Sequence, residues 1–334
     1  MRGRYTPPAQ GVDSGGRARQ PAAMRAWDPT LVCPRCRALD ERGLHVRTLA
    51  PAGGDDDAAL VCACGARWPI DAGVLRVHDA PLGHAPDEPA TRQHLAVYLD
   101  AHHGDRAVPP PDGPGAGAGG AEVLAWVRAR AAAPVARAVE LGCSVGGGLA
   151  ALAAGASAVV GVDVHLGALR LARRLLDGAA VGYQRSGLGG HLIDAEIAAA
   201  APTPGVTLVC ADALDPPLLP GAFDRVVALG LLDSCASPRG LLAVLDGLCA
   251  PGGELLLASP FTWPTEAAGE LAGDPLLGGP DPAAGLRTLL ATGDGLGARY
   301  AIEDATEVPW RLRIDGASAT LFRCHLVRAR RQAA

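Results

Sequence analysis

From residue 121 to residue 259, short apolar runs alternate with helical stretches, and that alternation leaves few folds open. The pattern predicts a helix over 121–133, a strand over 137–141 (RAVEL), a helix near 147–154 and a strand over 158–163 (AVVGVD). It continues with a helix over 167–176, strands over 206–211, 224–229 and 254–259, and a helix over roughly 238–249. Strands that are apolar along their whole length and separated by helices belong to a parallel sheet covered on both faces. Two longer strands, over 299–308 and 319–329, suit an antiparallel edge on that sheet, and 177–205 reads as a long irregular insertion.

The segment ahead of this pattern is different. Residues 1–25 form a polar tail rich in Gly, Pro and Arg, expected to be disordered, and 26–78 form a compact unit with four cysteines. Residues 79–120 read as a helix (88–102, with Leu95, Val97, Tyr98 and Leu99 apolar) and a Pro/Gly-rich linker from Gly104 to Gly120. The tail lacks the apolar stretch of a signal peptide, and no run approaches the roughly 18 apolar residues of a membrane span. The expected compartment is the cytoplasm, where thiols stay reduced. All 30 basic residues are Arg, and the net charge is −5, which argues against a nucleic-acid partner.

The chemistry concentrates where strands end. After the strand closing at Leu141, Gly142 and Gly146 allow the sharp turn and close approach that a bound ligand needs. Asp163 ends the next strand, 21 residues after Gly142, where a carboxylate in such a fold reaches a ribose diol. Asp212 ends the third strand. Simpler readings stand beside these: turns for the glycines, helix N-caps for the aspartates. The same turn, Gly142-Cys-Ser144-Val-Gly146, also spells the nucleophile elbow of a serine hydrolase, with Ser144, Asp233 and His325 in triad order. That reading leaves Glu140, Asp163 and Asp212 without a role.

Taken together, Glu140-x-Gly142-x-Ser144-x-Gly146, Asp163, Asp212, the 223–229 strand and the Pro251-Gly252-Gly253 turn resemble a class I SAM-dependent methyltransferase over about 121–330. A NAD-binding Rossmann domain is the less similar alternative. The resemblance implies an α/β, Rossmann-like class I sheet with an antiparallel C-terminal edge, and S-adenosyl-L-methionine (SAM) as cofactor. It implies cofactor contacts from Glu140, Gly142, Ser144 and Gly146. It further implies Asp163 on the ribose, Asp212 and Ala213 on the adenine, and Leu229 and Gly230 beside the methionine part. Ser144 replaces the usual middle glycine.

Cys33-x-x-Cys36 and Cys62-x-Cys64 are separated by 25 residues, a spacing suited to a tetrahedral zinc site of four thiolates. With the tail Cys64-Gly-Ala-Arg-Trp-Pro-Ile-Asp71, the unit resembles a Trm112-like zinc ribbon, implying a small N-terminal domain with structural Zn2+; the tighter C-x-C pair departs from C-x-x-C. The other five cysteines (Cys143, Cys210, Cys235, Cys249 and Cys324) stand in apolar runs and read as core. Some rRNA and tRNA methyltransferases carry such a ribbon as a reader. Here the unit holds six Arg against seven acids, with Trp27 and Trp68 its only aromatics, unlike an RNA-reading surface. A non-catalytic partner module is a further alternative, opposed by intact Glu140, Asp163 and Asp212.

Four patches resemble the 4-mercaptohistidine N-methyltransferase family: Tyr98-Leu-Asp-Ala-His-His-Gly104, Leu141–Gly146, Leu231-Leu-Asp233 and Ala258-Ser-Pro-Phe-Thr-Trp263. Val308-Pro-Trp-Arg311 is similar as well. This implies a small-molecule acceptor, a lid of Tyr98, His102 and His103, and an acceptor pocket of Tyr98, Asp233, Thr262 and Trp263. Methyl transfer is chiefly alignment, so a catalytic group is not legible beyond the candidates Asp233, His102 and His103.

Overall fold

A computed structural model describes residues 27–40, 43–52, 59–78, 82 and 88–333. The N-terminal tail lies outside the described residues. The cysteine unit supplies short strands β1 (Ala38–Asp40), β2 (Gly43–His45), β3 (Ala50–Pro51), β4 (Ala59–Val61), β5 (Arg67–Asp71) and β6 (Val74–Arg76). Next come α1 (Pro89–His103), β7 (Ala107–Val108), α2 (Ala121–Ala131), β8 (Val135–Leu141), α3 (Gly147–Ala153), β9 (Ala156–Asp163) and α4 (Leu166–Leu176). They are followed by β10 (Val181–Ser186), β11 (Leu192–Ile197), β12 (Val206–Cys210), β13 (Phe223–Leu229), α5 (Pro238–Leu248) and β14 (Cys249–Ser259). The chain ends with α6 (Thr265–Glu270), α7 (Pro282–Thr292), β15 (Tyr300–Arg313) and β16 (Ala319–Arg331).

One sheet of 11 strands organises the molecule, in the order β15-β16-β14-β13-β8-β9-β12-β6-β5-β4-β3. From β14 to β12 the strands are parallel, and β16 and β15 close one side antiparallel. Alternate strand residues feed two cores. Val139, Val160, Val226 and Leu255 pack under α5 and α7, while Ala138, Val159, Val227 and Leu256 pack under α2, α3 and α4. This doubly covered layer is why the strands read as continuously apolar. The order in which strands are added reverses at β8, with β9 and β12 on one side and β13 and β14 on the other, and a ligand crevice forms outside the carboxyl ends at such a point.

The cysteine unit does not stand apart from this layer. β6 pairs in parallel with β12 through Leu208↔Val74, Val209↔Leu75 and Cys210↔Arg76, so the same sheet continues into the unit. Leu31, Leu60 and Leu75 join the core beneath α5.

Two expectations need correction. The insertion at 177–205 is not irregular: β10 and β11 form an antiparallel hairpin in register from Val181↔Ile197 to Ser186↔Leu192. On its inward face Val181, Arg185, Ala195 and Ile197 are buried and Tyr183 is half-buried, a spacing of two along each strand, the period of a half-covered strand. Nor is 104–120 a free linker. β7 pairs with β11, the Gly119 carbonyl accepts from Arg311 N–H at 3.0 Å, and Gly120 N–H donates to the Ala101 carbonyl at 2.9 Å. A Cβ at Gly119 would collide with the Arg311 carbonyl. Here glycine serves close backbone packing rather than mobility.

Candidate active site

At the carboxyl end of β8 the chain turns through Gly142 (φ +73°), Ser144 (φ +47°) and Gly146 (φ +82°) into α3. Asp163, at the end of β9, holds this turn. Its Oδ2 accepts from the Ser144 N–H at 2.8 Å and its Oδ1 from the His165 N–H at 2.7 Å. Burial raises its pKa against those two hydrogen bonds. Glu140 lies behind the turn, 1% exposed, and burial, reinforced by the Asp163 charge, pushes it up to about 8. Among the described residues, its Oε2 has no hydrogen-bond partner.

Helix α1 crosses over this end of the sheet. The His102 Nδ1 accepts from the Gly147 N–H at 3.2 Å, at the first residue of α3. His103 points to the Val145 carbonyl, with Nε2 3.0 Å away. Burial pushes His102 down to about 3 and His103 down to about 4, so both rings are neutral near pH 7. His94 on α1 stacks on His165 with centroids 4.8 Å apart, and His165 Nδ1 caps α4 through the Ala168 N–H at 3.1 Å. Beyond β13, Asp233 accepts from the Ser259 hydroxyl at 3.0 Å and the Thr262 hydroxyl at 3.2 Å, while burial raises its pKa.

A cavity of about 460 Å3 opens among these elements. Of the residues expected from sequence, it brings together Tyr98, His102, Glu140, Gly142, Ser144, Asp163, Leu229, Gly230, Asp233 and Thr262. Five others lie off its wall. Gly146 faces Ala172 in the body of the fold, and His103 is turned to Val145. Asp212 is exposed and spends Oδ1 on the Leu214 N–H at 2.9 Å; Ala213 packs against the core. The Trp263 indole donates to the Leu277 carbonyl at 3.2 Å and its ring meets Phe261 edge-on, a packing role.

Sequence reasoning missed His94, His165, Leu82, Phe322 and Cys324, which also line the cavity. They come from α1, the loop after β9, the segment before α1 and β16, and no short motif unites them. Among the described residues, no Arg lines the cavity. The hydrolase triad does not assemble: His325 Nε2 lies 2.8 Å from Arg287 Nη1, away from the cavity that Ser144 and Asp233 share.

The cysteines form a second centre. Sγ atoms of Cys33 and Cys64 are 3.9 Å apart, those of Cys36 and Cys62 are 3.6 Å apart, and all four sulfurs lie within 4.8 Å of one another. Four thiolates about 2.3 Å from one zinc ion stand about 3.8 Å apart, so the set fits a closed tetrahedral site despite the short C-x-C link.

Residues 139–257 match the methyltransferase domain family. This stretch runs from β8 through β14 and contains the turn, Asp163 and Asp233. The chain has the Rossmann-like methyltransferase fold. No curated protein matches the sequence. Among solved structures, the chain is similar to one described under the conversion of a disulfide bond into a thioacetal group during echinomycin biosynthesis (23% identity, 63% of this chain and 81% of that one, TM-score 0.41). Magnesium protoporphyrin IX methyltransferase from Synechocystis PCC 6803 with bound SAM is similar at 18% identity (64% and 77% covered, TM-score 0.39). N-methyltransferase NodS from Bradyrhizobium japonicum WM9 with S-adenosyl-L-homocysteine is similar at 15% (72% and 100% covered, TM-score 0.42). The family match, rather than these distant neighbours, supports a SAM-dependent methyltransferase. No helix among the described residues is long and apolar enough to cross a membrane.

Proposed function

We propose that this protein transfers a methyl group from SAM to a small molecule. The observation that carries the reading is the single cavity at the carboxyl ends of β8, β9 and β13, which holds Glu140, Gly142, Asp163, Gly230 and Asp233 together. SAM supplies, when bound, a methyl group on a positively charged sulfur. The chain's part is to align donor and acceptor and to keep water out.

Asp163 is the ribose anchor. Each of its oxygens receives one backbone N–H and retains a lone pair for a hydroxyl donor. Glu140, with its unpartnered Oε2, suits the α-ammonium of the methionine part, and Leu229 and Gly230 flank that part. Ser144 and Gly146 shape the loop. Asp212 and Ala213 contribute to the adenine side only through the turn they form after β12. Asp233, aimed by two hydroxyls, faces the acceptor with Tyr98 and Thr262. Its raised pKa suits it to take a proton from an acceptor that must lose one. The resemblance to 4-mercaptohistidine N-methyltransferases gives the first acceptor to try.

Cys33, Cys36, Cys62 and Cys64 hold structural zinc in this reading, and the reduced thiolates suit the cytoplasm. The cavity wall, free of Arg among the described residues, disfavours RNA as acceptor, since phosphate would meet no cation there. SAM labelled on its methyl group, incubated with the protein and a lysate of its source, tests the assignment. Label in a small-molecule fraction is expected. Label in RNA or protein would overturn the substrate class.

A further inference from the structure

His102 lies over the glycine turn, and the proposed cofactor contacts leave it unused. Its chemistry is fixed by its surroundings. A backbone N–H can only donate, so the bond from Gly147 makes His102 Nδ1 an acceptor and puts the ring proton on Nε2. The ring is 8% exposed and lines the cavity. The hydrogen bond that the ring makes among the described residues is at Nδ1, which leaves Nε2 to the cavity. What His102 offers the cavity is therefore one neutral N–H donor. With Nδ1 engaged and Nε2 protonated, it has no free lone pair with which to act as a base.

Two adjacent glycines set where that donor sits. A Cβ at Gly147 would come within 2.7 Å of His102 Nδ1, and a Cβ at Gly148 would collide with the Glu140 carboxylate. The first two residues of α3 thus have the His102 ring against one and the Glu140 carboxylate against the next, and both side chains line the same cavity. Among the described residues, no Arg lines the cavity to take a ligand's carboxylate instead.

From this pairing we infer that His102 Nε2–H binds the α-carboxylate of the cofactor's methionine part, opposite Glu140 on its ammonium. The inference rests on the SAM-dependent reading. It turns His102 from a candidate catalytic group into a cofactor-binding residue, and it lets a neutral donor take the carboxylate in place of a formal cation.

Calorimetric titration of the full chain with two ligands tests it. One is S-adenosyl-L-homocysteine; the other is 5′-methylthioadenosine, which keeps the nucleoside thioether and lacks the amino-acid end. His102→Ala is expected to weaken the first by about tenfold or more, the cost of a hydrogen bond to a charged group, and to leave the second within about twofold. His102→Gln, which retains an N–H donor, should recover part of the loss. Equal loss for both ligands, or none for either, would mean that the ring only packs. Should the variants not fold, the Nε2 resonance of the wild-type ring decides: it should move with the homocysteine ligand and not with the thioadenosine, and the reverse overturns the assignment. Wild-type protein that binds neither ligand would instead overturn the methyltransferase reading, and this assignment with it.

Discussion

Asp163 and Glu140 lie close in the cavity and behave differently because their oxygens are differently occupied. Asp163 has backbone donors on both oxygens, whereas Glu140 is buried with Oε2 unpartnered. Asp163→Ala removes both the proposed ribose partner and the tie between two loops, and SAM affinity should fall by more than about tenfold in a titration. Unchanged affinity would show the ribose anchor to be misassigned. Glu140 yields a pH prediction. Its pKa is raised on folding, to about 8, so the neutral form favours the folded state. That contribution is complete below the ordinary carboxylate range and is lost as pH rises through about 8. The ligand-free protein should melt at lower temperature at about pH 9 than at about pH 6, and Glu140→Gln should flatten part of that slope. Saturating S-adenosyl-L-homocysteine should flatten it too, because its ammonium lowers the Glu140 pKa. A slope unaltered in Glu140→Gln would assign it to other groups.

Among the elements, the β10–β11 hairpin shows what the sequence conceals. Its alternation runs through Val181, Tyr183 and Arg185, and the last is 2% exposed. An Arg on the inward face hides a strand from any hydrophobic pattern. Its partner explains its place: Nη1 lies 3.2 Å from Asp100 of α1, and Tyr183 also donates to that carboxylate. Arg185→Ala leaves a buried acid without its cation, and should lower unfolding stability by about 3 kcal/mol in urea titration. A change below about 0.5 kcal/mol would mean that Asp100 is neutral or solvated. The cysteine unit gives the parallel case for metal. Purified protein should carry about one zinc per chain, and Cys36→Ser should lose it. Zinc-free protein that melts at the same temperature would exclude a structural metal.

For the whole molecule, the legible part was what lies along the strands. RAVEL, AVVGVD and the glycine turn encode a parallel layer and its crevice because each strand is apolar on both faces and each turn demands glycine. What stayed hidden is what reaches the crevice from elsewhere. His94 belongs to α1 and His165 to the loop after β9, and they meet only once α1 lies across the sheet. Trp263 shows the opposite error, a motif residue whose indole is spent on the Leu277 carbonyl.

The pairing of β6 with β12 has a consequence for what the edge of the sheet offers to other copies of the chain. All five residues of β12 are buried, and without β6 its outer row of N–H and C=O groups would lie open beside an apolar surface. Such an edge is a template for another copy's strand. The cysteine unit is thus a guard on the sheet, whatever else it binds. A shortened chain beginning at residue 88 should self-associate in light scattering at concentrations where the full chain does not. A monodisperse fragment would show that the edge protects itself.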